Sequence, residues 1–215
     1  MKYIFLDLDG TITDSREGIT KCFEYALKSL GVSVEDRADL EQFIGPPLEQ
    51  SFREGFGFDE ETVTLAVKKY RERYVPVGAY ENLVYPGMEA ALQKLKEAGK
   101  VLIVATSKPE HMAKKILEHF GLDKYFEDIC GADDDKNRSK KAEVIRYALA
   151  RNEITDLDDV LMVGDRKFDV AGAHECGMRC MGVLYGFGDR TELKNAGAAY
   201  IAETVEDMAR IIVSL

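Results

Sequence analysis

Five short strand candidates, each ending in glycine or polar residues, constrain this chain more than any other feature: the apolar runs Tyr3–Leu8, Val101–Ala105, Val160–Val163 and Cys180–Leu184, and a weaker candidate at Phe126–Cys130, third in chain order. None alternates apolar with polar as a strand wetted on one face would. Each therefore predicts a strand buried on both faces, which is the signature of a parallel sheet covered by helices on either side. Helical stretches separate them. Pro86 opens one carrying Met88, Ala91, Leu92, Leu95 and Ala98, closed by Gly99. Pro109 opens another with Ala113, Ile116, Leu117 and Phe120, stopped at Gly121. Further helices are predicted at Ser139–Arg151, Asp169–Cys176 and Val205–Val213. Strand and helix in alternation predict an α/β, doubly wound, Rossmann-like parallel sheet.

One interval breaks this rhythm. From Arg16 to Asn82 no comparable strand run occurs. Ile19, Cys22, Phe23, Ala26, Leu27 and Leu30 lie on one helical face, with Gly31 as the stop. Gly45-Pro46-Pro47 interrupts, and Leu48–Phe56 resumes a helical pattern. Asp59 then reads as an N-cap before Glu60 and Glu61, with an apolar stripe of Val63, Ala66, Val67, Tyr70 and Tyr74. The expected division is a core of residues 1–14 and 83–215 interrupted by an all-helical insertion, residues 15–82.

Composition narrows the class of partner. With 39 acidic against 29 basic side chains, the net charge of −10 repels a nucleic-acid backbone. No apolar run approaches the ~20 residues that span a bilayer, and MKYIFLDLDG places carboxylates where a signal peptide needs apolar residues. Cys22, Cys130, Cys176 and Cys180 show neither redox nor zinc spacing and read as free thiols. The expectation is a cytoplasmic protein that binds neither nucleic acid nor membrane. Monomer and homodimer both stay open.

In a doubly wound sheet, ligands bind at the carboxyl ends of the strands. The residues there form a short set. Asp7, Asp9, Gly10 and Thr11 follow the first run; Thr106, Ser107 and Lys108 follow the second. Lys140 and Lys141 precede the helix ending at Arg151, and Gly164, Asp165 and Asp169 follow the fourth run. Carboxylates gathered at one sheet edge repel each other unless a cation intervenes. Oxygen donors without histidine or thiol favour Mg²⁺ over zinc. Thr106 and Lys141 suit the remaining oxygens of a phosphate, and an aspartate facing phosphorus can attack it. A second carboxyl two residues on suits proton transfer.

These residues resemble a known family. Asp7-Leu8-Asp9-Gly10-Thr11 resembles the first signature of the haloacid dehalogenase superfamily. Thr106, Lys141 and Gly164-Asp165-x-x-x-Asp169 resemble the second, third and fourth. The helical insertion resembles the family's C1 cap, and Phe43–Leu48 is similar to the phosphoglycolate phosphatase and nucleotidase-like branch. The resemblance implies that Asp7 is the nucleophile and Asp9 the general acid/base. It implies Mg²⁺ bound by the Asp7 carboxylate, the Asp9 backbone carbonyl and Asp165, with Asp169 a second-shell or water-mediated partner. Thr106, the Ser107 backbone N–H and Lys141 would hold phosphate. Relatives often carry proline after that lysine, whereas here Ala142 follows Lys141 and Lys140 precedes it, so both lysines stay in play. Gly45, Pro46 and Pro47 would form a substrate loop.

The implied activity is a Mg²⁺-dependent phosphomonoesterase, phosphoglycolate phosphatase-like, acting on a small phosphorylated metabolite through an aspartyl-phosphate. A nucleoside monophosphate 5'-phosphatase, a pyrophosphatase and a phosphomutase share the motifs. A phospho-receiver signalling domain would be a shorter chain without the insertion, and a dehalogenase would not need Asp9. Asp133-Asp134-Asp135 reads as a charged loop tip, and His111, His119 and His174 as isolated helix residues.

Overall fold

A computed structural model describes residues 1–133 and 138–215. Asp134 and Asp135 of the aspartate run lie outside the described residues, while Asp133 is half-buried and its Oδ1 accepts the Arg138 N–H at 3.0 Å. The chain divides into two units, Met1–Thr13 with Val84–Leu215, and Asp14–Leu83.

The first unit is built on a six-stranded sheet. In chain order its strands are β1 (Tyr3–Leu6), β4 (Val101–Pro109), β5 (Asp128–Ala132), β6 (Val160–Gly164), β7 (Arg179–Val183) and β8 (Tyr200–Ala202). Their spatial order is β5-β4-β1-β6-β7-β8, with every pairing parallel. Strand β1 sits between β4 and β6, Tyr3 opposite both Val101 and Val160. The direction of winding reverses there, so the crevice at the carboxyl ends of β1 and β6 is the expected ligand site.

Burial explains the sequence pattern. Phe5, Ile103, Ala105, Met162 and Cys180 join Val144, Ile145, Val170 and Ala173 in a core on one face, supplied by α6 (Lys141–Arg151) and α7 (Lys167–Glu175). Their strand neighbours Ile4, Leu6, Leu102, Val104, Leu161 and Val163 are equally buried and point the other way. On that side lie α4 (Met88–Glu97), α5 (Glu110–His119) and α9 (Val205–Ser214), with buried stripes that include Leu92, Leu95, Ile116 and Ile212.

The structure departs from the sequence expectation in several places, among them β5, which lies two residues later than the expected Phe126–Cys130. Strand β4 continues past Ala105 to Pro109, with an irregularity in its pairing to β5 between those residues. Strand β8 and α8 (Arg190–Ala196) were not anticipated. They are three and seven residues long, too short for a periodicity to emerge, and β8 pairs only with β7.

The second unit is helical: α1 (Arg16–Ser29), a 3-10 turn (Arg37–Phe43), α2 (Leu48–Phe56), α3 (Glu60–Arg73) and a π-helical turn (Tyr74–Gly78). Asp59 caps α3 by accepting the Thr62 N–H at 2.8 Å. Phe23 anchors its core, with ring centroids 5.0 Å from Phe52, 5.2 Å from Tyr70 and 5.6 Å from Phe43. The segments leading into and out of this unit carry β2 (Thr13–Asp14) and β3 (Leu83–Val84), which pair as a two-stranded sheet.

Candidate active site

Asp7 leaves β1 with its backbone N–H still bonded to Val163 O at 2.9 Å. The chain then turns tightly, because Leu8 O accepts from both Ile12 N at 2.9 Å and Thr13 N at 3.0 Å, while Gly10 N donates to Thr13 O at 2.8 Å. Gly10 has φ +80°, and a Cβ there would lie 2.2 Å from Asp165 Oδ2. Glycine is required on both counts, backbone conformation and room for the Asp165 carboxylate.

Three carboxylates converge under this turn. Oxygen atoms of Asp7, Asp165 and Asp169 lie within 4.8 Å of one another, and all three residues are buried. Lys141, from the first turn of α6, reaches among them. Its Nζ is 2.8 Å from Asp7 Oδ1, 2.8 Å from Asp169 Oδ1 and 3.0 Å from Ala105 O. Burial by itself disfavours the charged ammonium, but Asp169 and Asp7 outweigh it and hold the Lys141 pKa above its ordinary value. Lys140 is exposed and occupies the N-cap of the same helix, so of the two lysines only Lys141 reaches the carboxylates.

The remaining charge is unbalanced. Burial pushes Asp169 up to about 6; Lys141 opposes that rise and Asp7 adds to it. Asp165 is raised well above the carboxylate range by burial, then by Asp169 and Asp7. Its Oδ2 accepts the Phe187 N–H at 2.8 Å, but its buried Oδ1 has no hydrogen-bond partner among the described residues. One ammonium facing three carboxylates, with an orphaned buried oxygen and neither histidine nor thiol in the cluster, fits a hard divalent cation held by oxygen donors.

Thr106 and Ser107 stand at the end of β4, the strand beside β1, with Thr106 buried and Ser107 half-buried. Thr106 Oγ1 accepts the Lys108 N–H at 3.2 Å. The structure thus gathers Asp7, Asp165, Asp169 and Lys141 in one constellation. Gly45, Pro46 and Pro47 belong to the helical unit, in the half-buried turn before α2, with Gly45 at φ +109°.

A family profile described as haloacid dehalogenase-like hydrolase matches residues 3–183. A 5'-nucleotidase of Pseudomonas aeruginosa is 46% identical over 191 residues, 89% of this chain and 86% of that protein. The crystal structure of a predicted phosphatase from Clostridium acetobutylicum matches with a TM-score of 0.97 and 48% identity, covering 100% of this chain and 99% of that one. A phosphoglycolate phosphatase of Vibrio parahaemolyticus is 26% identical over 220 residues, covering 99% of this chain and 96% of that protein. The chain belongs to the haloacid dehalogenase-like hydrolases.

Within that family it is a phosphatase. Two parts of the phosphatase site carry no role in the sequence reading. Lys108 was noticed only as a residue past a strand end, yet its Nζ lies 2.7 Å from Asp9 Oδ2, with both side chains largely buried. The Asp9 side chain is thereby engaged with Lys108, while Asp7, Asp165 and Asp169 form the carboxylate cluster. The loop after β7 is the second omission. Gly186 and Gly188 let it close on Asp165: a Cβ on Gly186 would meet Gly10 O at 2.3 Å, and one on Gly188 would meet Asp165 O at 2.0 Å. The Gly186-Phe187-Gly188 spacing after a strand was the available signal. His111, His119 and His174 are exposed on their helices.

Proposed function

We propose that this phosphatase is a Mg²⁺-dependent phosphomonoesterase that works through an aspartyl-phosphate on Asp7. The observation that carries the reading is the Asp7 carboxylate at the carboxyl end of the central strand, held at Oδ1 by Lys141 and by the Leu8 N–H at 2.8 Å. Both contacts fall on one oxygen, and the other serves as the nucleophile in this reading. Asp7 and Asp165, with the Asp9 backbone carbonyl, would hold Mg²⁺, and Asp169 would support it from behind through Lys141 and the Arg166 N–H. When bound, the metal neutralises charge on the phosphoryl oxygens and on the clustered carboxylates.

The chain's own groups then act in two steps. A carboxylate oxygen of Asp7 forms a bond to phosphorus as the bond to the leaving oxygen breaks, and Asp9 gives that oxygen its proton. In the second step Asp9 takes a proton from water, the water oxygen bonds to phosphorus, and the Asp7 carboxylate departs. Thr106, the Ser107 backbone N–H and Lys141 hold the non-reacting phosphoryl oxygens.

A nucleoside 5'-monophosphate is the favoured substrate, supported by the 46% identity to the Pseudomonas nucleotidase. Phosphoglycolate is the second reading, supported by the full-length but more distant Vibrio relative. The four free cysteines support a reducing, cytoplasmic setting. No helix among the described residues is long and apolar enough to cross a membrane. Phosphate release from a panel of nucleoside monophosphates, phosphoglycolate, sugar phosphates and pyrophosphate tests the substrate class. Preference for phosphoglycolate would reverse the order of the two readings. Substantial turnover of p-nitrophenyl phosphate by Asp7→Asn would sink the mechanism.

A further inference from the structure

Lys108 belongs to none of the roles assigned above, yet the fold places it with care. Strand β4 departs from regular pairing with β5 after Ala105 and still continues to Pro109. Thr106 Oγ1 accepts the Lys108 N–H, fixing the backbone, and the Lys108 side chain is only 6% exposed. A buried ammonium is costly unless it meets a negative partner. The partner is Asp9, whose Oδ2 lies 2.7 Å away. The other oxygen, Asp9 Oδ1, is also buried and has no hydrogen-bond partner among the described residues.

We infer that Lys108 is a positioning residue for the acid/base step: it clamps Asp9 through Oδ2 and leaves Oδ1 as the oxygen that exchanges a proton with the leaving group and with water. The inference rests on the hydrolytic reading of Asp7 and Asp9. A carboxylate rotates about a broad, two-fold torsion, so an unclamped Asp9 would present either oxygen in a range of directions. One oxygen held and one left unpaired selects a single geometry, and proton transfer depends steeply on such geometry. The two aspartates of the first motif thus each have their own lysine, Lys141 on Asp7 and Lys108 on Asp9, delivered by different elements.

A leaving-group comparison separates this role from structural damage and from phosphate binding. Alkyl phosphates need a proton on the departing oxygen, whereas p-nitrophenolate leaves without one. Lys108→Met should lower kcat/KM, which reports the steps through loss of the leaving group, by about a hundredfold on an alkyl phosphate that the wild-type enzyme turns over and by less than about tenfold on p-nitrophenyl phosphate, while kcat, which includes the dephosphorylation that both esters share, falls on both. Lys108→Arg should recover much of the alkyl activity. Lys108→Gln, the milder substitution, is assayed in parallel so that the comparison survives if the methionine variant does not fold. Equal losses of kcat/KM on both substrates, no loss on either, or a rise in KM with kcat unchanged would overturn the inference. Failure of the underlying reading looks different: the wild type would hydrolyse neither ester, or Asp7→Asn would retain turnover.

Discussion

Replacing Lys141 by Met removes the one ammonium placed among three buried carboxylates. The side chain is 5% exposed and makes two 2.8 Å ion pairs, to Asp7 and Asp169, and a 3.0 Å hydrogen bond to Ala105 O. Methionine fills nearly the same volume, so the loss is electrostatic rather than a cavity. Removing one partner of a buried ion pair costs about 3–5 kcal/mol, because the stranded charge stays desolvated. In a chain of 215 residues each kcal/mol moves the melting midpoint by about 2–4 °C. The expected fall is therefore about 6–20 °C, read by circular dichroism at pH 7.5 in EDTA. The deficit should also shrink with acid. Lys141 is what restrains the rise of Asp169, so in its absence Asp169 takes up a proton at higher pH and the stranded charge is neutralised. By pH 5 the variant should recover much of its lost midpoint relative to wild type. A shift under about 2 °C at pH 7.5, or a deficit that grows as pH falls, would refute the reasoning about the carboxylate cluster.

Two further outcomes follow from the same constellation. Asp169 has its folded pKa raised from 3.8 to about 6, so its favourable contribution is complete below about 4 and is lost as pH rises through about 6; the difference corresponds to about 3 kcal/mol. The metal-free wild type should gain stability on acidification from pH 7 to pH 4.5 relative to Asp169→Asn, by urea unfolding at each pH, and parallel profiles would contradict the assignment. Gly10→Ala forces an alanine to φ +80°, at about 1–2 kcal/mol, and drives its Cβ against Asp165 Oδ2. It should raise the Mg²⁺ concentration needed for half-maximal activity, and an unchanged Mg²⁺ dependence would separate Asp165 from the metal.

The sheet was legible because its strands are buried on both faces. Ile4, Phe5 and Leu6 read as a buried strand, and each of the five candidates has a strand at or beside it, the weakest, Phe126–Cys130, being displaced to Asp128–Ala132. Strand β8 was not legible, since Tyr200-Ile201-Ala202 at a sheet edge carries too little apolar signal. Within the site, Asp7, Asp165 and Lys141 were readable as charged residues just past strands or at a helix start. Lys108 occupies the same kind of position but acquires meaning only from contact with Asp9, and an ion pair between residues 9 and 108 leaves no local pattern. Gly186 and Gly188 show in sequence only as closely spaced glycines after a strand; that their lack of a side chain makes room for Asp165 is revealed by the folded chain. The choice between Lys140 and Lys141 was of the same kind, because adjacent residues at a helix start face different ways.

The central claim is a covalent phosphate on Asp7, and it can be trapped directly. Enzyme mixed with substrate and Mg²⁺, quenched in acid during turnover and reduced with borohydride, should carry homoserine at position 7 in its N-terminal peptide. The same treatment of Asp7→Asn, or of wild type without substrate, should leave that peptide unmodified. Phosphate release by wild-type enzyme with no reducible adduct at Asp7, or with the adduct at another carboxylate, would contradict the account.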